Sequence, residues 1–390
     1  MRVAFVSRYP PVHCGVAEYT RLLAHALLSV NPRLKVYVLS TREAGSKPYR
    51  EQPGVHVIPS YERFDASYSG LLDALTEIGG VDVLHLQHEY GIYGDTPRVA
   101  KAILEARYEG LTRSAVITLH TVYHPYGAAE KPERLELYRV LQDADAVVVH
   151  SYLQEFELYS QGLSSRLVNR IPHGTLVNPY LDVDRPRLAQ DLSIDPASLQ
   201  GVVLATPGFL RPDKGLDTLL EAAQSLARRG VEFTLVVAGE PQDAHGGEVL
   251  EQLREARETA EWLLHIDRYL SSDELLKLAA LADALVLPYR DRPGKYAVSG
   301  ILHMSMGSMK PIAGTRVARL VELYQYAPRL AVSPGDPAEL AQLLEWLIRN
   351  YDYAVAYMSG LYSYAVRTQW IRMARRHLQL YQRLAVATAA

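Results

Sequence analysis

The sequence contains a single cysteine, Cys14, among 390 residues. A disulfide needs two thiols and a cysteine-based zinc cluster needs more, so the chain can form neither within itself, which fits a reducing cytoplasm. We interpret Cys14 as a small buried side chain rather than as a thiolate nucleophile. Asparagine is also scarce and arginine far outnumbers lysine, a composition that hints at a thermophilic source.

Long apolar runs and an excess of charge are missing as well. No apolar run approaches the roughly 20 residues that span a bilayer, and the start, MRVAFVSRYPP, enters a strand pattern without a basic and apolar leader. The formal charge of −3 gives no long-range attraction to nucleic acid. We therefore expect a cytoplasmic protein with no nucleic-acid partner, at most peripheral membrane contact, and any anion site confined to a local cluster.

The loop after the first strand lacks G-x-G-x-x-G, which argues against a dinucleotide-binding oxidoreductase. Instead, short apolar runs alternate with longer amphipathic segments, a pattern typical of parallel sheets covered by helices. The chain also exceeds the size of one hydrophobic core, so we expect two doubly wound α/β domains. The predicted strands are VAFVS, LKVYVLS, VHVIP, VDVLHLQ, AVITLH and AVVVH in the first half, and VVLATP, FTLVVAG, ALVLP and PIAG in the second.

Two segments stand outside this alternation. Residues 178–198, NPYLDVDRPRLAQDLSIDPAS, carry prolines, aspartates and little apolar periodicity, so we interpret them as the connection between domains. The last segment, TQWIRMARRHLQLYQRL, predicts a basic amphipathic closing helix that packs Trp370, Ile371, Leu378 and Tyr381, and a helix that lies on a membrane surface is the alternative. Open α/β sheets bind ligands beyond the carboxyl ends of their strands, so two such halves predict a cleft between the domains.

The most informative stretch is residues 201–223, GVVLATPGFLRPDKGLDTLLEAA. A predicted strand runs through a turn into an amphipathic helix, and Arg211 and Lys214 precede that helix. Backbone N–H groups at a helix start carry a partial positive charge, so a phosphate bound there would gain from both contributions. The alternative is an ordinary strand-loop-helix with two solvated cations.

Other glycines and polar residues also follow predicted strands. Taken alone, each has an ordinary structural explanation as a cap, a turn or a satisfied histidine, and the adjacent His88 and Glu89 are too few to predict a metal site. Their positions beyond strand ends nevertheless make them candidates for ligand contact. They are Gly15, Glu89, Tyr90, His120, His173, Gly239, Glu240, Ser299 and Gly300.

Several motifs in this order resemble the retaining glycosyltransferases of family 4. They are GFLRPDKGLDTLLEA, IPHG, SSDELLKLAALADALVLPYRD, SGILHMSMGSMKPIAGT and SPGDPAEL. The resemblance implies the GT-B fold, in which two Rossmann-like domains face a central cleft. It implies an acceptor-binding domain over 1–180, a nucleotide-sugar domain over 181–366, and a C-terminal helix over 367–390 that crosses back to the N-terminal domain.

The resemblance also implies roles for individual residues. Arg211 and Lys214 would contact the diphosphate of a nucleotide-sugar, although many relatives carry the arginine two positions earlier, at Phe209 here. His120 would lie near the transferred sugar. The remaining donor-side residues would be Gly15, Gly239, Glu240, Ser299, Gly300 and His303, and the acceptor-side residues would be Glu89, Tyr90 and His173.

One departure concerns the two glutamates that family members usually carry eight positions apart. Those places hold Tyr296 and Met304 here, and neither side chain can act as a carboxylate. His303 is adjacent to the second place and is a candidate polar substitute. The substitution leaves the identity of the donor open, and to a lesser degree the activity.

The resemblance as a whole implies a metal-independent, retaining hexosyltransferase that uses a nucleotide diphosphate sugar. Mannose or glucose is the expected sugar, with GDP slightly preferred, and the acceptor is a saccharide, a lipid-linked molecule or a small molecule. A phosphorylase or epimerase on the same fold is one alternative. A catalytically silent binding or assembly subunit is another, suggested by the two missing glutamates.

Overall fold

A computed structural model describes residues 1–387 of the chain. These residues form two compact units. Unit 1 comprises Met1–Gly174, Arg292–Val298 and the segment from Trp370 onward, whereas unit 2 comprises Thr175–Asp291 and Ser299–Gln369. The first stretch of unit 1 thus ends before the predicted boundary at residue 180. Residues 388–390 of the predicted C-terminal segment lie outside the described residues.

Unit 1 is built on an eight-stranded sheet with the order β3-β4-β2-β1-β5-β6-β8-β9. All neighbours pair in parallel except β3 and β4. The central strands are buried along almost their whole length, as their continuous apolar runs predict. The strands are β1 (Arg2–Val6), β2 (Lys35–Thr41), β3 (Tyr49–Glu51), β4 (Val55–Tyr61), β5 (Val81–His88), β6 (Thr112–Leu119), β8 (Ala146–Val149) and β9 (Val168–Arg170).

A second, two-stranded antiparallel sheet in unit 1 pairs β7 (Thr121–Tyr123) with β14 (Lys295–Ala297). Strand β14 comes from a segment whose flanking residues on both sides belong to unit 2. The sequence analysis assigned this segment to the second domain. A three-residue strand is too short to give a periodic signal of its own, so the pairing was not visible in the sequence.

Seven helices accompany the sheets of unit 1 within the described residues, and the last of them is the C-terminal helix. This helix packs on the first helix and on β6, which confirms the predicted return of the chain end to the N-terminal domain. These seven helices of unit 1 are α1 (Gly15–Val30), α2 (Ser69–Glu77), α3 (Tyr90–Tyr93), α4 (Arg98–Tyr108), α5 (Glu136–Val140), α6 (Tyr152–Ser160) and α16 (Trp370–Ala387).

Three of the four residues predicted to anchor α16 are buried, namely Trp370, Leu378 and Tyr381. The prediction for Ile371 is wrong, because its side chain is 38% exposed. Ile371 follows Trp370 directly, and a rotation of about 100° between successive helical residues places its side chain at the border of the buried face. Over residues 1–387, no helix is both long and apolar enough to cross a membrane.

Unit 2 is built on a six-stranded parallel sheet with the order β12-β11-β10-β13-β15-β16. Because all strands run in the same direction, the loops at their carboxyl ends lie along one edge of this sheet. The predicted α/β class is confirmed in both units. The strands are β10 (Val202–Pro207), β11 (Phe233–Ala238), β12 (Leu263–Ile266), β13 (Ala284–Leu287), β15 (Ile312–Thr315) and β16 (Ala331–Val332).

The helices of unit 2 include one in the stretch that the sequence analysis took for a connection between domains. That interpretation is wrong, because α7 and the residues after it bury Leu188, Leu192 and Ile194 in the core of unit 2. The helices are α7 (Arg185–Asp191), α8 (Leu216–Arg228), α9 (Ala244–Arg257), α10 (Ser272–Leu281), α11 (Gly300–Ser305), α12 (Val321–Tyr326), α13 (Pro337–Arg349), α14 (Tyr351–Tyr357) and α15 (Ser359–Arg367).

A group of buried or half-buried histidines lies in unit 1, several of them around the ring of Tyr19. The ring centroid of Tyr19 is 4.8 Å from that of His120 and 5.1 Å from those of His150 and His173. Burial holds the pKa of His88 at about 3 and the pKa of His150 at about 4. Burial also lowers the pKa values of His85, His120 and His377, so these five side chains are neutral at pH 7.

We expect unit 1 to lose stability in mild acid. The histidines bind protons near pH 6.5 when unfolded but not when folded, so stability is complete above that pH and falls as the pH drops further. Each histidine contributes a slope of up to about 1.4 kcal/mol per pH unit. Calorimetric melting between about pH 7.5 and about pH 5.5 checks this. His88→Met should reduce the slope, the exposed His124→Gln should not, and a pH-independent melting temperature would contradict the expectation.

Candidate functional site

The loop that follows β10 carries the two predicted cations. It begins at Gly208, is held against the loop after β11 by a bridge between Leu210 and Pro241, and then forms a 3-10 turn over Pro212–Lys214. Gly215 ends that turn with φ +68° and begins α8. A Cβ atom at Gly215 would lie 1.9 Å from the carbonyl oxygen of Pro288. Glycine is therefore required for this loop to approach the loop after β13.

Lys214 rests on an aromatic ring supplied by the loop after β13. Its Nζ lies 3.9 Å from the ring centroid of Tyr289, and the Tyr289 side chain is fully buried. Burial lowers the pKa of the Lys214 ammonium. Among the described residues no carboxylate pairs with Lys214, so the face of a buried ring is its main partner.

Arg211 is engaged differently, because it forms a two-bond pair with Asp213. Its Nε and one terminal nitrogen donate to the Asp213 carboxylate at 2.8 and 2.7 Å, and the other terminal nitrogen donates to Gln242 at 3.2 Å. Burial alone would raise the pKa of Asp213, but Arg319 and Arg211 outweigh it and hold that pKa below its usual range. Most of the Arg211 charge is thus already compensated within the loop.

Arg319 and Tyr289 are site residues that the sequence analysis missed. The Arg319 guanidinium lies 4.9 Å from the Tyr289 ring centroid and 2.8 Å from a carboxylate oxygen of Asp213, and it also pairs with Asp291. Around the Tyr289 ring, the cations of Arg211, Lys214 and Arg319 therefore lie near two aspartate carboxylates. The net charge of these five groups is +1. The only available signal was the position of both residues just beyond strands β13 and β15 of the same sheet.

A small recess opens beside these groups in unit 2. It combines two cationic side chains and an aromatic ring with an apolar floor, a composition that suits a ligand with an anionic group and an apolar or stacking portion. Its lining residues are Thr206, Pro207, Gly208, Phe209, Leu210, Arg211, Lys214, Leu216, Val237, Val249 and Tyr289.

Ser299 and Gly300 lie at the start of α11. The Ser299 hydroxyl caps this helix by accepting a hydrogen bond from the Leu302 N–H at 3.2 Å, and it lies 3.4 Å from the Tyr289 hydroxyl. Gly300, the first helical residue, is exposed. The structure thus brings Ser299 to the same ring as Lys214.

His303 lies inside unit 2 rather than at its surface. Its Nδ1 donates to the Ser299 carbonyl at 3.0 Å, and its Nε2 lies 3.8 Å from the Glu322 carboxylate. Burial raises the pKa of Glu322 to about 7. The His303 side chain is fully buried. Its predicted polar contact with the donor stays a prediction.

Gly239 and Glu240 follow β11, the neighbour of β10. A Cβ atom at Gly239 would lie 2.1 Å from the Gly208 carbonyl oxygen, so two glycines allow these strand ends to touch. The Glu240 carbonyl accepts a hydrogen bond from the Leu210 N–H at 2.9 Å. The backbone of this pair therefore supports the Arg211 loop, and the donor role of the Glu240 side chain stays a prediction.

In unit 1, Gly15 and His120 lie beyond β1 and β6. Gly15 is the exposed first residue of α1, and no atom lies within 4 Å of the place a Cβ would take. His120 Nε2 donates to the Gln87 side-chain oxygen at 3.0 Å. Burial, followed by His150 and His88, holds the pKa of His120 well below its usual value.

The three residues predicted to face the acceptor lie in different surroundings in unit 1. Glu89 is half-buried and accepts a hydrogen bond from the Thr121 hydroxyl at 2.8 Å. Tyr90 is buried, and its hydroxyl donates to the Arg134 carbonyl at 3.3 Å. His173 is buried against Tyr19 and donates from Nδ1 to the Gly174 carbonyl at 2.8 Å.

The two positions where the resemblance predicts glutamates differ in their surroundings. Tyr296 lies on β14 in unit 1, where its carbonyl accepts a hydrogen bond from Gln154 at 3.4 Å. Met304 is half-buried on α11 in unit 2. Neither position offers a carboxylate. Across residues 1–387, no group of three or more metal-ligating side chains is placed to hold a metal ion.

The sequence model of the family described as Glycosyl transferases group 1 matches residues 201–350, a range that includes the cation recess of unit 2. Over nearly its whole length, the chain is also 22% identical to a D-inositol 3-phosphate glycosyltransferase of Corynebacterium urealyticum, covering 98% of this chain and 96% of that protein. The family model therefore covers less than half of the chain, and the whole chain is similar to a glycosyltransferase at low identity.

Solved structures support the two-domain α/β architecture of this chain. Sucrose-phosphate synthase from Thermosynechococcus elongatus superposes with a TM-score of 0.79 at 18% identity, over 99% of this chain and 100% of that one. The Anabaena protein HepE, solved with UDP and glucose, gives a TM-score of 0.71 at 15% identity over 100% of both chains. The predicted GT-B fold is confirmed by these likenesses.

We expect Gly215→Ala to destabilise unit 2 more than Gly230→Ala does. Both glycines have a left-handed backbone, which costs an alanine about 1 kcal/mol or more. Only the Cβ at position 215 would collide with backbone, whereas that at 230 meets open space. We expect a difference of about 2 kcal/mol or more in urea unfolding. Equal losses would show that the two loops can separate without cost.

Proposed function

We propose that this chain is a retaining glycosyltransferase that moves a hexose from a nucleotide diphosphate sugar to an acceptor. The observation that carries the proposal is the Lys214 ammonium, which lies on a buried tyrosine ring without a carboxylate partner among the described residues. A diphosphate in the recess would supply the missing anion. The match of the group 1 glycosyltransferase family to residues 201–350 supports this assignment.

The physical basis of catalysis would be stabilisation of the leaving diphosphate. Its charge grows as the glycosidic bond breaks, so a fixed cation beside it stabilises the transition state more than the ground state. Lys214 would contribute most, because Arg211 already gives three hydrogen bonds to Asp213 and Gln242. Half-burial strengthens this contribution by keeping solvent screening low.

The remaining steps of the proposal concern the sugar and the acceptor. His120, neutral and held by Gln87, would lie near the transferred sugar, and a donor phosphate oxygen would take the acceptor proton. The proposed reaction does not use a metal ion. Glu89, Tyr90 and His173 remain the proposed acceptor-side residues.

The sugar proposed is mannose or glucose, with GDP slightly preferred as the nucleotide. The names of similar proteins contain inositol 3-phosphate, sucrose-phosphate and UDP, which supports a phosphorylated polyol or sugar as acceptor and UDP as a second nucleotide to test. A transfer assay with GDP- and UDP-linked mannose and glucose separates these choices. Repeating the assay with a chelator tests the proposed independence from metal.

We expect Lys214→Ala to lower the rate of nucleotide release from the donor more than about tenfold, at least about 1.4 kcal/mol, without loss of the fold. Lys277→Ala is the matched control, because Lys277 also lies over a tyrosine ring but pairs with Asp191 and Asp273. The control should keep its activity. More than about a tenth of the wild-type rate in Lys214→Ala would refute the role of this ammonium.

A second candidate is favoured by the surroundings of Tyr296 and Met304. Since neither provides a carboxylate, the chain could bind a nucleotide-sugar without transferring the sugar. Calorimetric binding together with product analysis decides between the two functions: binding without any released nucleotide supports the silent subunit. Release of a sugar 1-phosphate with inorganic phosphate would instead indicate a phosphorylase.

A further inference from the structure

Arg319 connects three loops at the carboxyl edge of the unit 2 sheet. One terminal nitrogen of its guanidinium lies 2.8 Å from the Asp213 carboxylate, and the other donates to the Asp213 carbonyl at 3.1 Å. Its Nε and its backbone N–H both donate to the Asp291 carboxylate, the latter at 2.9 Å. Its own carbonyl accepts a hydrogen bond from the Ser299 N–H at 3.1 Å.

These three loops carry the residues of the proposed diphosphate site in unit 2. The Asp213 loop follows β10 and holds Lys214, the Asp291 loop follows β13 and holds Tyr289, and the Ser299 loop begins α11. Arg319 itself is only 9% exposed. The N–H donors of this buried guanidinium are directed at protein oxygens. The side chain therefore holds the loops together rather than contacting a ligand.

We propose that Arg319 is a positioning residue that fixes Lys214 on the ring of Tyr289 and thereby forms the anion site. The proposal rests on the proposed function for the identity of the anion, but the placement of Lys214 can be tested without any ligand. No donor contact is assigned to Arg319.

The geometry requires an arginine. A planar guanidinium directs several N–H donors at fixed angles, so one side chain can hold Asp213 and Asp291 at once. A lysine ammonium is a compact charge and cannot reach both carboxylates together with the Asp213 carbonyl. Arg319→Lys therefore keeps the charge and removes the connection.

Arg319 also affects the anion site through its positive charge. With Arg211, Lys214 and Arg319 against Asp213 and Asp291, the local sum is +1, and a neutral residue at 319 would leave 0. The site would then lose the excess positive charge that attracts a diphosphate. Arg319→Lys separates the two effects, because it preserves the charge.

The ligand-free test is an NMR measurement on the full chain labelled with ¹³C-lysine. A methylene group over an aromatic face resonates upfield, so the Lys214 side chain should be distinguishable, and its signal is assigned by its loss in Lys214→Arg. We expect Arg319→Lys to move that signal toward the positions of the exposed lysines, and the resonance of the added lysine is identified in the double variant Arg319→Lys/Lys214→Arg. Arg185→Lys is the control, since Arg185 pairs with Asp283 at the opposite edge of the same sheet and should leave the signal in place.

The accompanying measurement is calorimetric binding of inorganic pyrophosphate, GDP and UDP. We expect Arg319→Lys to weaken pyrophosphate binding about tenfold or more, and Arg185→Lys to change it by less than about threefold. If Arg319→Lys does not fold, as judged by circular dichroism and melting, Arg319→Met/Asp291→Asn replaces it, because that pair leaves no unpaired Asp291 charge.

The outcomes separate the two proposals. An unmoved Lys214 signal in a folded Arg319 variant overturns the positioning role, whatever the binding data show. A shifted signal in Arg319→Lys, together with a wild-type chain that binds neither GDP nor UDP, supports the positioning role and contradicts the proposed function. A shifted signal with weakened pyrophosphate binding supports both.

Discussion

The contact between the Lys214 ammonium and the buried ring of Tyr289 is the interaction on which the candidate site depends. The ring is fixed by the core of unit 2, and the ammonium reaches it only because Gly215 lets two loops touch. An ammonium taken partly out of water and given no carboxylate remains available to an anion. Asp213 compensates Arg211 instead, so the two cations of one loop serve different purposes.

Much of the fold could be predicted from the sequence because strands buried on both faces leave continuous apolar runs. The α7 helix could not be predicted, because prolines and aspartates occur both in linkers and at helix starts. In DVDRPRL, Asp184 accepts a hydrogen bond from the Arg187 N–H and Pro186 lies in the first turn, so both residues begin a helix. Only the burial of Leu188, which is a tertiary fact, decides between a linker and a capped helix.

Only some residues of the candidate site could likewise be predicted from the sequence. Lys214 and Arg211 were predictable because a strand, a turn and a helix lie together within one short stretch. Tyr289 and Arg319 were not, because they meet Lys214 only through the parallel order of β10, β13 and β15, which brings distant loops to one edge. Nor does the sequence show that Asp213, two residues from Arg211, compensates that cation. Local patterns identify charges, whereas the balance among charges is set by the sheet.

The chain passes between its two units at four places, and neither unit is a continuous stretch of sequence. Unit 1 receives β14 from within the second half and α16 from the end, where the Trp370 ring packs so closely on Gly174 that a Cβ there would lie 2.1 Å away. A gene fragment that ends near residue 180 would therefore encode a sheet without its closing helix. Recombination that exchanges one whole unit between similar chains must thus carry non-adjacent segments together, and a single crossover near the middle would separate segments that fold together.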